Sequence, residues 1–116
     1  MKVLILETDP IVQIDLAYWV SDLGHDLMGP FGTEDSALRA CSRSLPDAAI
    51  VDFMLGPERD SRDLAGLLLD NDVHLGLFSA HGRRHMPENL LTVPVIDKPG
   101  TPDSIRAFLD AAPGPD

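Results

Sequence analysis

The chain of 116 residues carries nineteen acidic and nine basic residues, a net charge of -10 with the histidines neutral, and is 44% hydrophobic. That hydrophobic share excludes a disordered chain, and the length suits one domain with a real core. The negative excess repels phosphate backbones and argues against a nucleic-acid partner; the apolar runs are far too short to span a membrane. The lone cysteine, Cys41, forms no intrachain disulfide, and Glu7 interrupts the N-terminal apolar run before a signal-peptide core is complete. A cytoplasmic location is therefore expected.

In chain order, residues 3–6 are an apolar run that ends at Glu7. Asp9-Pro10 is a helix start, an N-cap acid followed by proline at the first helical position. Val12, Leu16, Trp19, Val20 and Leu23 follow at helical spacing, and Gly24 closes that helix. Residues 26–31 read as a weak strand that Pro30 places at a sheet edge. Thr33-Glu34-Asp35 opens a second helix with Ala37, Leu38 and Cys41 on its inner side. Ala49, Ile50 and Val51 run into Asp52 as a strand buried on both faces, and the chain then turns at Gly56-Pro57.

Residues 61–69 read as a third helix with Leu64, Ala65, Leu67 and Leu68 buried. Residues 73–78 form a strand ending at Ser79. Between residues 80 and 92, Gly82 and Pro87 leave room only for a short helix over 87–91. Residues 93–96 form a short strand before Lys98-Pro99. Thr101-Pro102-Asp103 repeats the cap pattern, and Ile105, Phe108 and Leu109 mark a last helix. Residues 111–116 read as a frayed tail beyond a core of residues 2–110, and residues 1–116 read as a single domain. His25, His74 and His85 are expected at the surface, and no His/Cys set has zinc spacing.

Strands and helices thus alternate five times, which predicts a parallel sheet with helices on both faces. The expected fold is an α/β, flavodoxin-like (βα)5 doubly wound sheet of strand order 2-1-3-4-5, with a shortened fourth helix. In such a sheet ligands bind at the carboxyl ends of the strands. Glu7 and Asp9 after the first strand, Asp52 ending the third, Ser79 ending the fourth and Lys98 after the fifth would meet there. Asp52 by itself could be a nucleophile, a ligand or a cap. Asp9 could cap its helix or turn toward the same rim, and His81 is a surface residue or a modulator of that rim.

The order Glu7-Thr8-Asp9-Pro10, Val51-Asp52-Phe53-Met54-Leu55, Ser79-Ala80 and Asp97-Lys98-Pro99 resembles the receiver domain of bacterial response regulators, over nearly the whole chain from residue 3 to 109. The resemblance implies that Asp52 is the phosphoacceptor, attacking the phosphohistidine of a histidine kinase or histidine phosphotransfer protein. It implies that Lys98 and Ser79 contact the phosphoryl group. It implies that Glu7, Asp9, Asp52 and the Met54 carbonyl hold Mg²⁺. Thr8 stands where the family has its second acid, so weak Mg²⁺ binding is expected. Val95 stands where many receivers carry a switching aromatic, so Phe78 takes that part or no aromatic switch exists. Met54 and His81 flank the phosphoryl site and would modulate its hydrolysis.

The expected function is that of a stand-alone phosphoacceptor in a two-component phosphorelay. It would act on an unknown downstream protein by contact, and would be no enzyme beyond its own phosphoryl transfer and hydrolysis. The alternative is a pseudo-receiver, a binding scaffold that is never phosphorylated. A flavin-binding protein would need a phosphate loop where Thr8-Asp9-Pro10 stands. A haloacid-dehalogenase-type phosphatase would need an acid at Met54.

Overall fold

The computed structural model describes residues 1–84 and 86–113. Five strands pair in parallel: β1 (Lys2–Leu6), β2 (Asp26–Phe31), β3 (Ala48–Asp52), β6 (His74–Ser79) and β7 (Val95–Asp97). Their order across the sheet is β2-β1-β3-β6-β7. Counted over the sheet strands alone this is 2-1-3-4-5, the flavodoxin-like order expected. Between β3 and β6 lie a small antiparallel hairpin, β4 (Met54–Gly56) with β5 (Arg59–Asp60), and then α3 (Arg62–Asp70). The other helices are α1 (Pro10–Asp22), α2 (Glu34–Cys41) and α4 (Pro102–Asp110).

The alternation of side chains along each strand builds two cores. Leu4, Leu6, Ala49, Val51, Leu75 and Leu77 face α2 and α3. Val3, Ile5, Ala48, Ile50, Phe78 and Ile96 face α1 and α4. β3 is buried at every position, as a central strand covered on both faces must be. β2 lies at the sheet edge, where Pro30 removes no needed ladder bond. Helix starts follow their caps: Asp9 Oδ1 accepts from the Ile11 amide, Thr33 Oγ1 from Ser36, and Thr101 with Ser104 forms a capping box. Among the described residues no helix is long and apolar enough to cross a membrane.

Several local expectations need correction. The last strand begins at Val95 rather than at residue 93. The Val93 amide instead donates to the Leu90 carbonyl, and Pro94 has no amide to pair. The shortened helix is a single 3₁₀ turn, Glu88–Leu90. The stretch read only as a turn at Gly56-Pro57 is the β4–β5 hairpin, with Met54 opposite Asp60. His74 is half-buried, not a surface residue: its ring stacks on Phe108 at 4.3 Å and its Nε2 lies 2.7 Å from the Phe108 carbonyl oxygen. In the expected tail, the Ala111 and Ala112 amides still donate into the last turn of α4. Residues 114–116 and His85 lie outside the described residues.

Candidate functional site

Parallel pairing brings the carboxyl ends of β1, β3 and β6 to one edge, and β7 delivers Lys98 beside them. The register sets Asp52 opposite Phe78 and Ser79 opposite Asp97. The Lys98 amide donates to the Ser79 carbonyl, which extends that pairing by one residue. Asp52, the last residue of β3, is 2% exposed, and Glu7, just past β1, is 1% exposed. The Lys98 ammonium lies 3.0 Å from Asp52 Oδ1 and 3.2 Å from Glu7 Oε2, so one cation bridges two buried carboxylates.

This local charge imbalance shapes the acid. Burial pushes the Asp52 carboxyl up to about 6; the Lys98 ammonium and the Thr8 contact pull it down, while the Glu7 charge adds to the rise. Burial disfavours the Lys98 ammonium, but the hydrogen bond and charge of Asp52 and the charge of Glu7 outweigh it, so Lys98 is held above the usual lysine range. Beneath Lys98, 5.4 Å from its Nζ, is the centre of the buried Phe78 ring. Gly100, at φ 74°, is what lets the loop pass over that ring: a Cβ there would come within 3.1 Å of it.

The remaining expected site residues divide. Thr8 Oγ1 donates to Asp52 Oδ2 over a long 3.4 Å. Asp9 spends Oδ1 on the first turn of α1, and its own amide donates to Glu7 Oε1 at 3.1 Å. The Met54 side chain is half-buried against the α2–α3 core. Ser79 is buried, but its hydroxyl donates to the Gly82 carbonyl at 2.9 Å and accepts from the exposed His81's amide at 3.1 Å. Its loop therefore satisfies that hydroxyl. Val95 packs against the α2–α3 core, whereas Phe78 packs on the α1–α4 side of the sheet.

Three buried contacts that support the site were not read from the sequence. Ser61 Oγ donates to the Asp52 carbonyl at 2.8 Å, and the Ser61 amide to the Phe53 carbonyl at 2.9 Å. Together they close the hairpin onto the end of β3. Glu34 Oε2 accepts from the Leu64 amide at 3.1 Å, so an acid of α2 satisfies the open N-terminus of α3. A serine just before an apolar helical stripe signals a cap, but here its side chain turns inward to the strand instead.

The donor set suits a hard divalent cation of low demand. Glu7 Oε2 is buried with no hydrogen bond of its own, and the Asp52 carboxylate adjoins the same ammonium. Among the described residues no group of three or more His, Cys, Asp or Glu side chains gathers as a metal cluster.

No family model matches the chain, and no curated protein matches its sequence. Solved structures do match. The PhyR stress response regulator shares 30% identity at a TM-score of 0.78, over 96% of this chain and 44% of that one. The response regulator PhyR from Brucella abortus shares 27% at 0.77, over 96% and 46%. SdrG from Sphingomonas melonis Fr1 shares 25% at 0.82, over 97% and 95%. The chain thus spans less than half the length of the PhyR chains and nearly all of SdrG. The fold is that of response-regulator receiver domains.

Proposed function

We propose that this chain is a phosphoacceptor receiver that signals by protein contact. The observation that carries the reading is the buried Asp52 carboxylate at the carboxyl end of the central strand, 3.0 Å from Lys98 and beside a second buried acid. The resemblance of the fold to response regulators supports it. The donor is a phosphohistidine on a kinase or phosphotransfer protein. An Asp52 oxygen attacks the phosphorus; the new P–O bond forms as the P–N bond breaks, and the electron pair leaves with the imidazole. Lys98 already contacts the nucleophile, so its charge is in place for the negative charge of the phosphoryl oxygens. Glu7 and Asp52, with the Met54 carbonyl, would hold Mg²⁺, which supplies charge neutralisation at the phosphoryl group.

The test is incubation with acetyl phosphate and Mg²⁺, read by intact mass. One added phosphoryl group, absent in Asp52→Asn, is the expected result. An unchanged mass at saturating donor overturns it.

A second reading, a scaffold that binds partners without phosphorylation, is favoured by two observations. Thr8 brings a neutral hydroxyl where an acid would strengthen a metal site, and the Ser79 hydroxyl is already paired within its own loop. The same mass measurement separates the two readings.

A further inference from the structure

A phosphoryl group on Asp52 leaves a charge to be covered. Without it, the single Lys98 ammonium already stands against two carboxylates, those of Glu7 and Asp52. Phosphorylation adds more negative charge and three acceptor oxygens to the same rim. Lys98 meets Asp52 on Oδ1. Oδ2 faces the other way, toward the long contact from the neutral Thr8 hydroxyl.

On the Thr8 side the β4–β5 hairpin supplies a cation. Thr8 and Arg59 line one hollow of about 100 Å³, with room for about three waters. The base of the hairpin is tied to the acceptor itself, since Ser61 Oγ donates to the Asp52 carbonyl at 2.8 Å. Arg59 stands two residues before Ser61, a span of at most about 7 Å of chain. Its partner across the hairpin is Gly56, which has no side chain to cover it. Among the described residues the Arg59 guanidinium pairs with no carboxylate, whereas Arg62 is held by Asp60 at 2.9 Å. On its other flank Arg59 borders a wider hollow of about 490 Å³ that Glu58 and Asp63 also line. Glu34 lines both hollows but spends Oε2 on the Leu64 amide. An acid at position 8 would intercept the guanidinium on its way to Asp52, and the neutral Thr8 does not.

We propose that Arg59 binds the phosphoryl group on Asp52 from the Oδ2 side, so that an ammonium and a guanidinium clamp it from two directions. The proposal rests on Asp52 being the phosphoacceptor. As an Asp52 oxygen forms its bond to phosphorus, the donor's bond to phosphorus breaks and its electron pair leaves with the donor. Arg59 keeps its proton throughout and donates N–H bonds to the phosphoryl oxygens, for which its planar fork is suited. Exposed on its hairpin, Arg59 crosses the hollow beside Thr8 when the added charge draws it.

The test is the rate of phosphoryl addition from acetyl phosphate with Mg²⁺, read by intact mass, with acetate as the leaving group. Arg59→Ala should slow it about tenfold or more. Arg59→Lys, which restores the charge without the fork, should recover part of that loss. Arg62→Ala removes a positive charge from the same region and should keep the native rate. Both positions are exposed, so all three variants should keep the native melting temperature. Apart from any rate, the Arg59 Nε–H resonance should shift on phosphorylation and exchange more slowly with water. The native rate in Arg59→Ala, equal slowing in Arg62→Ala, or an unmoved Arg59 resonance in the phosphorylated protein overturns this proposal alone. A native chain that takes up no phosphoryl group overturns it together with the reading it rests on.

Discussion

Burial raises the Asp52 carboxyl to about 6 against the pull of Lys98 and Thr8, and this has a consequence for stability. A folded value above the ordinary 3.8 means that, between the two, the folded protein holds more protons than the unfolded chain. Stability from this group therefore falls as pH rises from about 4 to about 6, and the full cost is present above that window. Asp52→Asn should be more stable than the native chain at pH 7.5, by on the order of 2 kcal/mol, with the gap closing toward pH 4. Denaturant melts of both proteins across that range decide it; a gap that does not change with pH removes the account. At Thr8, an acid in place of the hydroxyl adds charge next to Asp52 Oδ2. Thr8→Asp should tighten Mg²⁺ binding about tenfold or more, read by titration calorimetry. Met54 offers no polar side-chain group to a hydrolytic water. Met54→Asn should speed loss of the phosphoryl mass roughly tenfold after the donor is removed.

At the scale of elements, the loop from Ser79 to β7 is the least organised part of the site's surroundings. Among its described residues the regular structure is one 3₁₀ turn; the Ser79 hydroxyl and the bond from Arg83 to the Val93 carbonyl brace the loop internally, and the Leu77 amide, which donates to the Pro94 carbonyl, and the buried Leu90 and Val93 tie its far end to the sheet and core. A phosphoryl group on Asp52 that recruits the Ser79 hydroxyl must break the bond to Gly82 and free that turn. Hydrogen exchange over residues 79–94 should change more on phosphorylation than in any helix of the chain. Equal protection in both states would move the switch elsewhere. The β4–β5 hairpin is the contrasting element, because the hydroxyl and the amide of Ser61 hold its base to the end of β3.

Over the whole molecule, the two cores are held to one sheet by side-chain packing, and on the α4 side that packing is tight where Phe108 crosses β6. Gly76, in the middle of β6, lies under Phe108: a Cβ there would come 2.7 Å from the Phe108 ring and 3.1 Å from Ile96. Phe108 is itself held by the His74 stack. Gly76→Ala should cost roughly 1–3 kcal/mol and lower the melting temperature by several degrees. Phe108→Leu added to it should recover part of that loss, since the two side chains compete for one volume. A Gly76→Ala protein that melts as the native one does would show that α4 rides more loosely on the sheet than these distances say.

The fold was legible in the sequence because its signals are local. Apolar runs of four or five residues, proline and acid caps at Asp9-Pro10 and Thr101-Pro102, and the alternation of strands with helical stripes specify the (βα) order. Right-handed crossovers then leave few arrangements of the strands. The sequence also named the residues that meet at the sheet edge, because polar residues ending buried strands of a parallel sheet must converge. Which of them touch was decided by tertiary structure. Lys98 is ninety-one residues from Glu7, and only the pairing of β6 with β7 sets its ammonium between Glu7 and Asp52. Asp9 and Ser79 carry the same local signals as their neighbours, yet one is drawn to its helix cap and the other to its own loop. A short polar side chain takes the nearest backbone partner unless packing withholds it. The inward turn of Ser61, the capture of the α3 N-terminus by Glu34 and the burial of His74 have no sequence signal for the same reason. Each depends on a partner supplied by another element, and that partner exists only once the sheet and its helices have packed.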